Sequence, residues 1–160
     1  MNNQENSRRR FLVLACGVFA AGAAEAQLTP NIVALRRAAL EEAIRKVLGG
    51  AQPRPGRVKL ELPPLIENGN SVPLTVTVQS PMTAADHVKV IHVFTEKNPQ
   101  PNIISAWLSP RAGRASVTTR ARIADTGTVT AIAQLSDGSF WSDSVQVVVT
   151  LSACLEDGLI

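Results

Sequence analysis

The hydrophobic positions of the chain change period once. Between Thr29 and Leu48, Ile32, Leu35, Ala39, Ala43 and Val47 recur at helical spacing, which predicts a helix within residues 27–50. Thr29 is placed to cap it, Pro30 suits its first turn, and Gly49-Gly50 stops it. Glu41-Glu42 precede Arg45-Lys46 by four residues and add modest support. The side carrying Leu40, Ile44 and Val47 is the one to dock against the domain or a neighbour.

Ala51-Gln52-Pro53-Arg54-Pro55-Gly56 breaks that helix, and from Arg57 onward the period is two. Val58-Lys59-Leu60-Glu61-Leu62 alternates until Pro63-Pro64, and Asn68-Gly69 reads as a tight turn. Val72, Leu74, Val76 and Val78 alternate again up to Ser80-Pro81, whereas Val88 to Thr95 alternates less cleanly and reads as a strand buried on both faces. Asn98-Pro99-Gln100-Pro101 interrupts before a strand from Ile103 to Leu108, and Pro110 to Gly113 turns the chain. Val117, Thr119, Ala121 and Ile123 then face one way, with Ser116, Thr118, Arg120 and Arg122 facing the other. Val129 to Leu135 follows, Ser136-Asp137-Gly138-Ser139 turns, Phe140-Trp141 packs just beyond, and Val145, Val147, Val149 and Leu151 form the last strand.

About seven short strands without helices between them predict an all-β, immunoglobulin-like antiparallel β-sandwich over residues 57–151, preceded by one N-terminal helix. No Cys-Trp-Cys framework exists, so the domain is not of the antibody type. Residues 152–160 are expected to form a flexible C-terminal tail carrying Cys154. At roughly 3.3 Å per residue, that thiol can stand about 10 Å clear of the sandwich.

The first 26 residues read as an export signal. Ser7-Arg8-Arg9-Arg10-Phe11-Leu12 has the twin-arginine form, the apolar run Phe11 to Ala24 is too short to span a bilayer, and Ala24-Glu25-Ala26 is a cleavage site. A mature chain beginning at Gln27, delivered to the periplasm, is expected. Cys16 lies inside this leader with too little apolar sequence before it for lipid attachment, and its removal leaves Cys154 unpaired. An odd cysteine in an oxidising compartment is a reactive thiol, an intermolecular partner or an accident. The twin-arginine route generally exports proteins already folded or assembled; with no cofactor motif to load, a folded partner travelling on the same signal is a reasonable expectation.

Composition adds little to this and removes some classes. At 45% hydrophobic and 18% charged the chain is ordinary for one globular domain. The formal charge of +3 overstates its basicity: without the leader, Lys and Arg number 13 against 11 acids, so nucleic-acid binding has no support. His87 and His92 have no cysteine or carboxylate at ligand spacing and read as a surface and a core histidine, not a metal site. There is no nucleophile elbow and no glycine-rich phosphate loop. Arg111, Arg114, Arg120 and Arg122 form either a solvated or partner-contacting face or, less simply, a cationic patch for a sulfur oxyanion.

Several stretches carry a family resemblance. Leu60-Glu61-Leu62-Pro63, Glu67-Asn68-Gly69-Asn70-Ser71-Val72-Pro73-Leu74, Gln79-Ser80-Pro81-Met82-Thr83, Asn98-Pro99-Gln100-Pro101, Arg120-Ala121-Arg122-Ile123 and Leu135-Ser136-Asp137-Gly138-Ser139-Phe140-Trp141 resemble SoxY, the sulfur-carrier subunit of the thiosulfate-oxidising Sox system. The likeness runs from the leader to the final cysteine. It implies a non-catalytic periplasmic carrier that needs no cofactor and holds pathway intermediates covalently on Cys154. It also implies a SoxZ-like subunit as heterodimer partner, a haem enzyme that conjugates thiosulfate to the thiol, a hydrolase that releases sulfate, and a molybdenum-containing sulfane dehydrogenase as a further client. Neither nucleic acid nor membrane is among the expected partners.

The tail departs from the family pattern. Family cysteines usually sit between paired glycines near the chain end; here Ser152-Ala153 precede Cys154 and Leu155-Glu156-Asp157-Gly158-Leu159-Ile160 follow. Leu155 is bulkier than glycine, and the Glu156-Asp157 pair disfavours a nearby thiolate and repels anionic sulfur. A sandwich that has lost its carrier role and serves as a periplasmic scaffold or binding subunit is the competing expectation. An independent thiol enzyme is weaker, since no base is placed near Cys154.

Overall fold

The computed structural model describes residues 28–151. Contacts divide the chain after Ala34, and all packing described below lies within the second unit, Leu35–Ile160. Helix α1 spans Leu28–Leu48, so Thr29 lies inside the first turn instead of capping it. Its end follows the expected chemistry: Gly49 takes the left-handed conformation at φ 57°, and its N–H donates to the Arg45 carbonyl at 2.9 Å.

Nine strands form two sheets. In the larger, β1 (Arg54–Pro55), β9 (Phe140–Val149), β8 (Gly127–Leu135), β5 (Val88–Thr95) and β6 (Asn102–Trp107) lie side by side in that order. The smaller contains β2 (Val58–Glu61), β4 (Val72–Val78) and β7 (Ala115–Ala121). β3 (Leu65–Ile66) returns to the larger sheet beside β9. β1 and β3 therefore run parallel to the two ends of β9, while the chain between them crosses to pair antiparallel with β4. Two-residue strands containing Pro55 or following Pro63-Pro64 have no alternation to read, and the sequence pattern passes over both.

Side chains from both sheets meet in one core. Val58, Leu60, Val72, Leu74, Val76 and Val78 of the smaller sheet face Ile91, Val93, Val129, Ala131, Ala133 and Leu135 of the larger, all buried. Each such Val or Leu is worth about 1.5–3 kcal/mol on full burial. The outer face of the larger sheet is covered as well: Leu40, Ala43, Ile44, Val47 and Leu48 of α1 pack on Phe94, Ile132 and Phe140. That cover explains why β5 departs from clean alternation, since Ile91 and Val93 serve the inner core and Phe94 the outer one. Among the described residues the smaller sheet carries no such cover, and its outer face is laced by Thr75–Thr118 and Thr77–Ser116 hydroxyl pairs at 3.1 and 3.5 Å.

Two turns differ from their sequence reading. The last strand begins at Phe140, not Val145, because Ser142, Asp143 and Ser144 hold ladder register with Ile132, Ala131 and Thr130. Polar outward residues hid that half of the strand. Asn68-Gly69 does not close a hairpin. The Asn68 Oδ1 accepts the Asn70 N–H at 2.9 Å, while Gly69 donates to the Leu151 carbonyl at 3.0 Å and accepts from the Ile123 N–H at 2.9 Å. It thereby ties three segments together at one end of the sandwich.

Candidate functional site

That end is where the chain leaves the sandwich toward Cys154, and it is held by a dense set of bonds. The Val149 N–H donates to the Thr126 hydroxyl at 2.9 Å, the Thr150 N–H to the Ile66 carbonyl at 2.9 Å, and the Thr150 hydroxyl to the Glu67 carbonyl at 3.1 Å. With the Gly69–Leu151 bond, the backbone is fixed through Leu151, which is itself 58% exposed. Cys154 lies three positions further on, outside the described residues, as do the leader, its Cys16 and the rest of the tail.

The arginines do not gather into one patch. Arg111 sits in a 3-10 turn, Pro110–Ala112, ahead of β7, and Arg114 immediately precedes that strand. Arg120 and Arg122 lie at its far end, so the five strand residues 115–119 separate the two pairs by roughly 20 Å. The Arg120–Arg122 pair is at the exit end. Arg120 Nη1 donates to the Ser71 carbonyl at 3.2 Å, and the Arg122 carbonyl accepts from Asn98 Nδ2 at 2.9 Å. Both side chains are exposed, and among the described residues neither has an ion-pair partner. With Asn98, Gln100 and Ile103 they line a groove of about 450 Å³ between β6 and β7, the two edge strands on this side.

Asn98 is the residue that sequence reading missed here. It is 8% exposed, and besides holding the Arg122 carbonyl its Oδ1 accepts the Ala124 N–H at 2.7 Å. One amide thus clasps the segment after β7 to the β5–β6 connection. Nothing in the Asn98-Pro99 text beyond a turn signal marks this. Asp143 is a second such clasp: its carboxylate accepts the Leu60 N–H at 2.8 Å, joining β9 to β2 where neither β1 nor β3 covers the edge.

Both histidines are half-buried, unlike the expected surface and core assignments. His92 lies among Phe94, Trp107 and Ser105, with Nδ1 2.8 Å from the Ser105 hydroxyl, and burial pushes its pKa below the ordinary value of 6.5. His87 Nδ1 is buried without a hydrogen-bond partner among the described residues. No group of three or more His, Cys, Asp or Glu among the described residues could hold a metal ion. At the opposite edge, Arg54 and Arg57 stand 5.9 and 5.3 Å from the ring centroid of Trp141 at the start of β9.

The profile of the family described as sulfur oxidation protein SoxY matches residues 44–154, more than two thirds of the chain. The chain belongs to the SoxY family. The match begins within α1, takes in every strand and has Cys154 as its last residue. Among solved structures, the sulfur carrier protein SoxY from Chlorobium limicola f thiosulfatophilum is similar at a TM-score of 0.59 and 27% identity, covering 71% of this chain and 98% of that one. A superoxide reductase (neelaredoxin) from Ignicoccus hospitalis is similar at a TM-score of 0.53 and 19% identity, over 64% of this chain and 85% of that one. A putative superoxide reductase from Thermotoga maritima follows at 0.50 and 20%, over 61% and 87%. At those identities the reductases share the sandwich fold with this SoxY-family chain and nothing further is implied. No curated protein matches it.

Proposed function

We propose that this SoxY-family chain is a periplasmic sulfur carrier that holds thiosulfate-derived intermediates covalently on Cys154 and presents them to the enzymes of the Sox system. The observation that carries the reading is the family match ending on Cys154, three residues past the last anchored position of the fold. The similarity to the Chlorobium sulfur carrier protein SoxY supports it. The sandwich is then an anchor: it fixes Leu151, and three extended residues give the thiol a reach of about 10 Å.

The chemistry asked of the carrier is that of one thiolate. Thiosulfate joins the cysteine sulfur with loss of two electrons to a haem-containing partner, giving a cysteine S-thiosulfonate. Water then cleaves the sulfur–sulfonate bond at a hydrolase, releasing sulfate and leaving a cysteine persulfide. A sulfane dehydrogenase then takes six electrons from the outer sulfur as water supplies its oxygens, giving a cysteine S-sulfonate, and a second hydrolysis releases sulfate and frees the thiol. The thiolate is the form that bonds to sulfur, so the carrier itself needs no acid, base or metal. A SoxZ-like subunit is the proposed heterodimer partner, and export by the twin-arginine route delivers the folded pair.

The competing reading, a scaffold that keeps its contacts but carries nothing, draws on Ser152-Ala153 and Leu155 standing where family members usually have glycine. Cys154→Ser separates the two. A carrier loses thiosulfate-dependent turnover while its partner complex survives; unchanged turnover establishes the scaffold.

A further inference from the structure

The groove between β6 and β7 is positively charged, open, and next to the point where the chain leaves the fold. Gly69 bonds Leu151 on one side and Ile123 on the other, so the last anchored residue and the Arg120–Ile123 segment are no more than about 10 Å apart. The chain beyond Leu151 carries a single acidic pair, Glu156-Asp157. Five extended residues reach roughly 17 Å, enough to bring that pair over the groove. Arg120 and Arg122 are exposed there, and Arg120 is steadied by the Ser71 carbonyl. Ile103 and Pro99 add apolar lining to the groove.

We infer that this groove is the resting dock of the chain's own C-terminal segment, with Glu156 and Asp157 set against Arg120 and Arg122. The dock gives the six residues after Cys154 a purpose: they return the cysteine to the surface of the sandwich between visits to partners. Tethering makes the contact intramolecular, so exposed ion pairs that would be negligible between separate molecules hold a substantial fraction of the segment. Because they are exposed, salt releases them. The inference concerns the same arm as the carrier reading, but its readout needs no sulfur on Cys154. Loading without docking leaves the carrier standing, and docking without loading leaves the dock standing.

The test attaches a nitroxide to Cys154 of the mature chain and reads paramagnetic broadening of backbone amides by NMR. Docking predicts broadening concentrated at residues 98–103 and 120–123, reduced several-fold by 0.5 M salt and by Arg120→Glu with Arg122→Glu. Adding Glu156→Arg and Asp157→Arg to that double variant restores it. An unlabelled spectrum of each variant checks that the sandwich is intact. Broadening that spreads evenly over the exit end, including residues 65–68 and 125–127, and ignores the arginine reversal overturns the dock. So does a groove whose amides respond to added sulfate or thiosulfate while the labelled segment shows no preference for it, since the occupant is then a free oxyanion.

Discussion

The two sheets of the sandwich share one core and differ in what lies behind them. The larger has α1 across its outer face, so Phe94 and Ile132 are at most 1% exposed while pointing away from the other sheet. The smaller presents Thr75, Thr77, Ser116 and Thr118 outward, and among the described residues only their own hydroxyl pairs lie over that face. Burial on two faces demands apolar residues at consecutive positions, and burial on one demands alternation. The larger sheet is thus a middle layer and the smaller an outer wall. Asn98 and Asp143 clasp the two together at opposite edges.

The contrast is tested most severely at Phe94. Phe94→Ala opens a cavity between sheet and helix and should cost about 3–5 kcal/mol, read as a lowered urea midpoint. A cost under about 1 kcal/mol would mean that α1 does not seal that face. Asn98→Ala leaves the part-buried Arg122 carbonyl and the buried Ala124 N–H unpaired across the clasp and should cost about 1–3 kcal/mol. Thr118→Ala, on the bare wall, removes one exposed hydroxyl pair and should shift stability by no more than about 0.5 kcal/mol.

The finest difference is one of pH. Burial lowers the pKa of His92, so on acidification the unfolded chain takes up its proton first. The stability tied to neutral His92 is complete above the ordinary value of 6.5 and is lost as pH falls below it toward the folded pKa. Urea titrations at pH 7.5 and pH 5 should therefore show a smaller loss for His92→Gln than for the parent chain. An equal loss would place the histidine in a solvated setting.

The same contrast decides what could be read from the residues alone. Alternation in β4 and β7, and the two-faced apolar positions of β5, gave their strands correctly because burial wrote the pattern directly. The docking side of α1 was legible for the same reason, since Leu40, Ile44 and Val47 have no other use. What stayed hidden depends on partners distant in sequence. β1 and β3 are strands only because β9 lies beside them, and the first half of β9 is polar because Ser142 and Ser144 lie on the outer face while Asp143 turns inward to its clasp with Leu60. At the exit end, the residues resembling SoxY and the final cysteine were visible, while the separation of the four arginines into two pairs followed from the length of β7. Asn98 and Asp143 were not legible: an amide or carboxylate that bonds backbone 24 to 83 residues away leaves no local signal.

The carrier reading is tested most directly by the intact mass of the protein taken from the periplasm of cells growing on thiosulfate, before and after reductant, with any adduct mapped by peptide sequencing. A mass increase of sulfur or thiosulfonate on Cys154, removed by reductant, is the predicted result. A free, unmodified Cys154 in cells actively oxidising thiosulfate would contradict it.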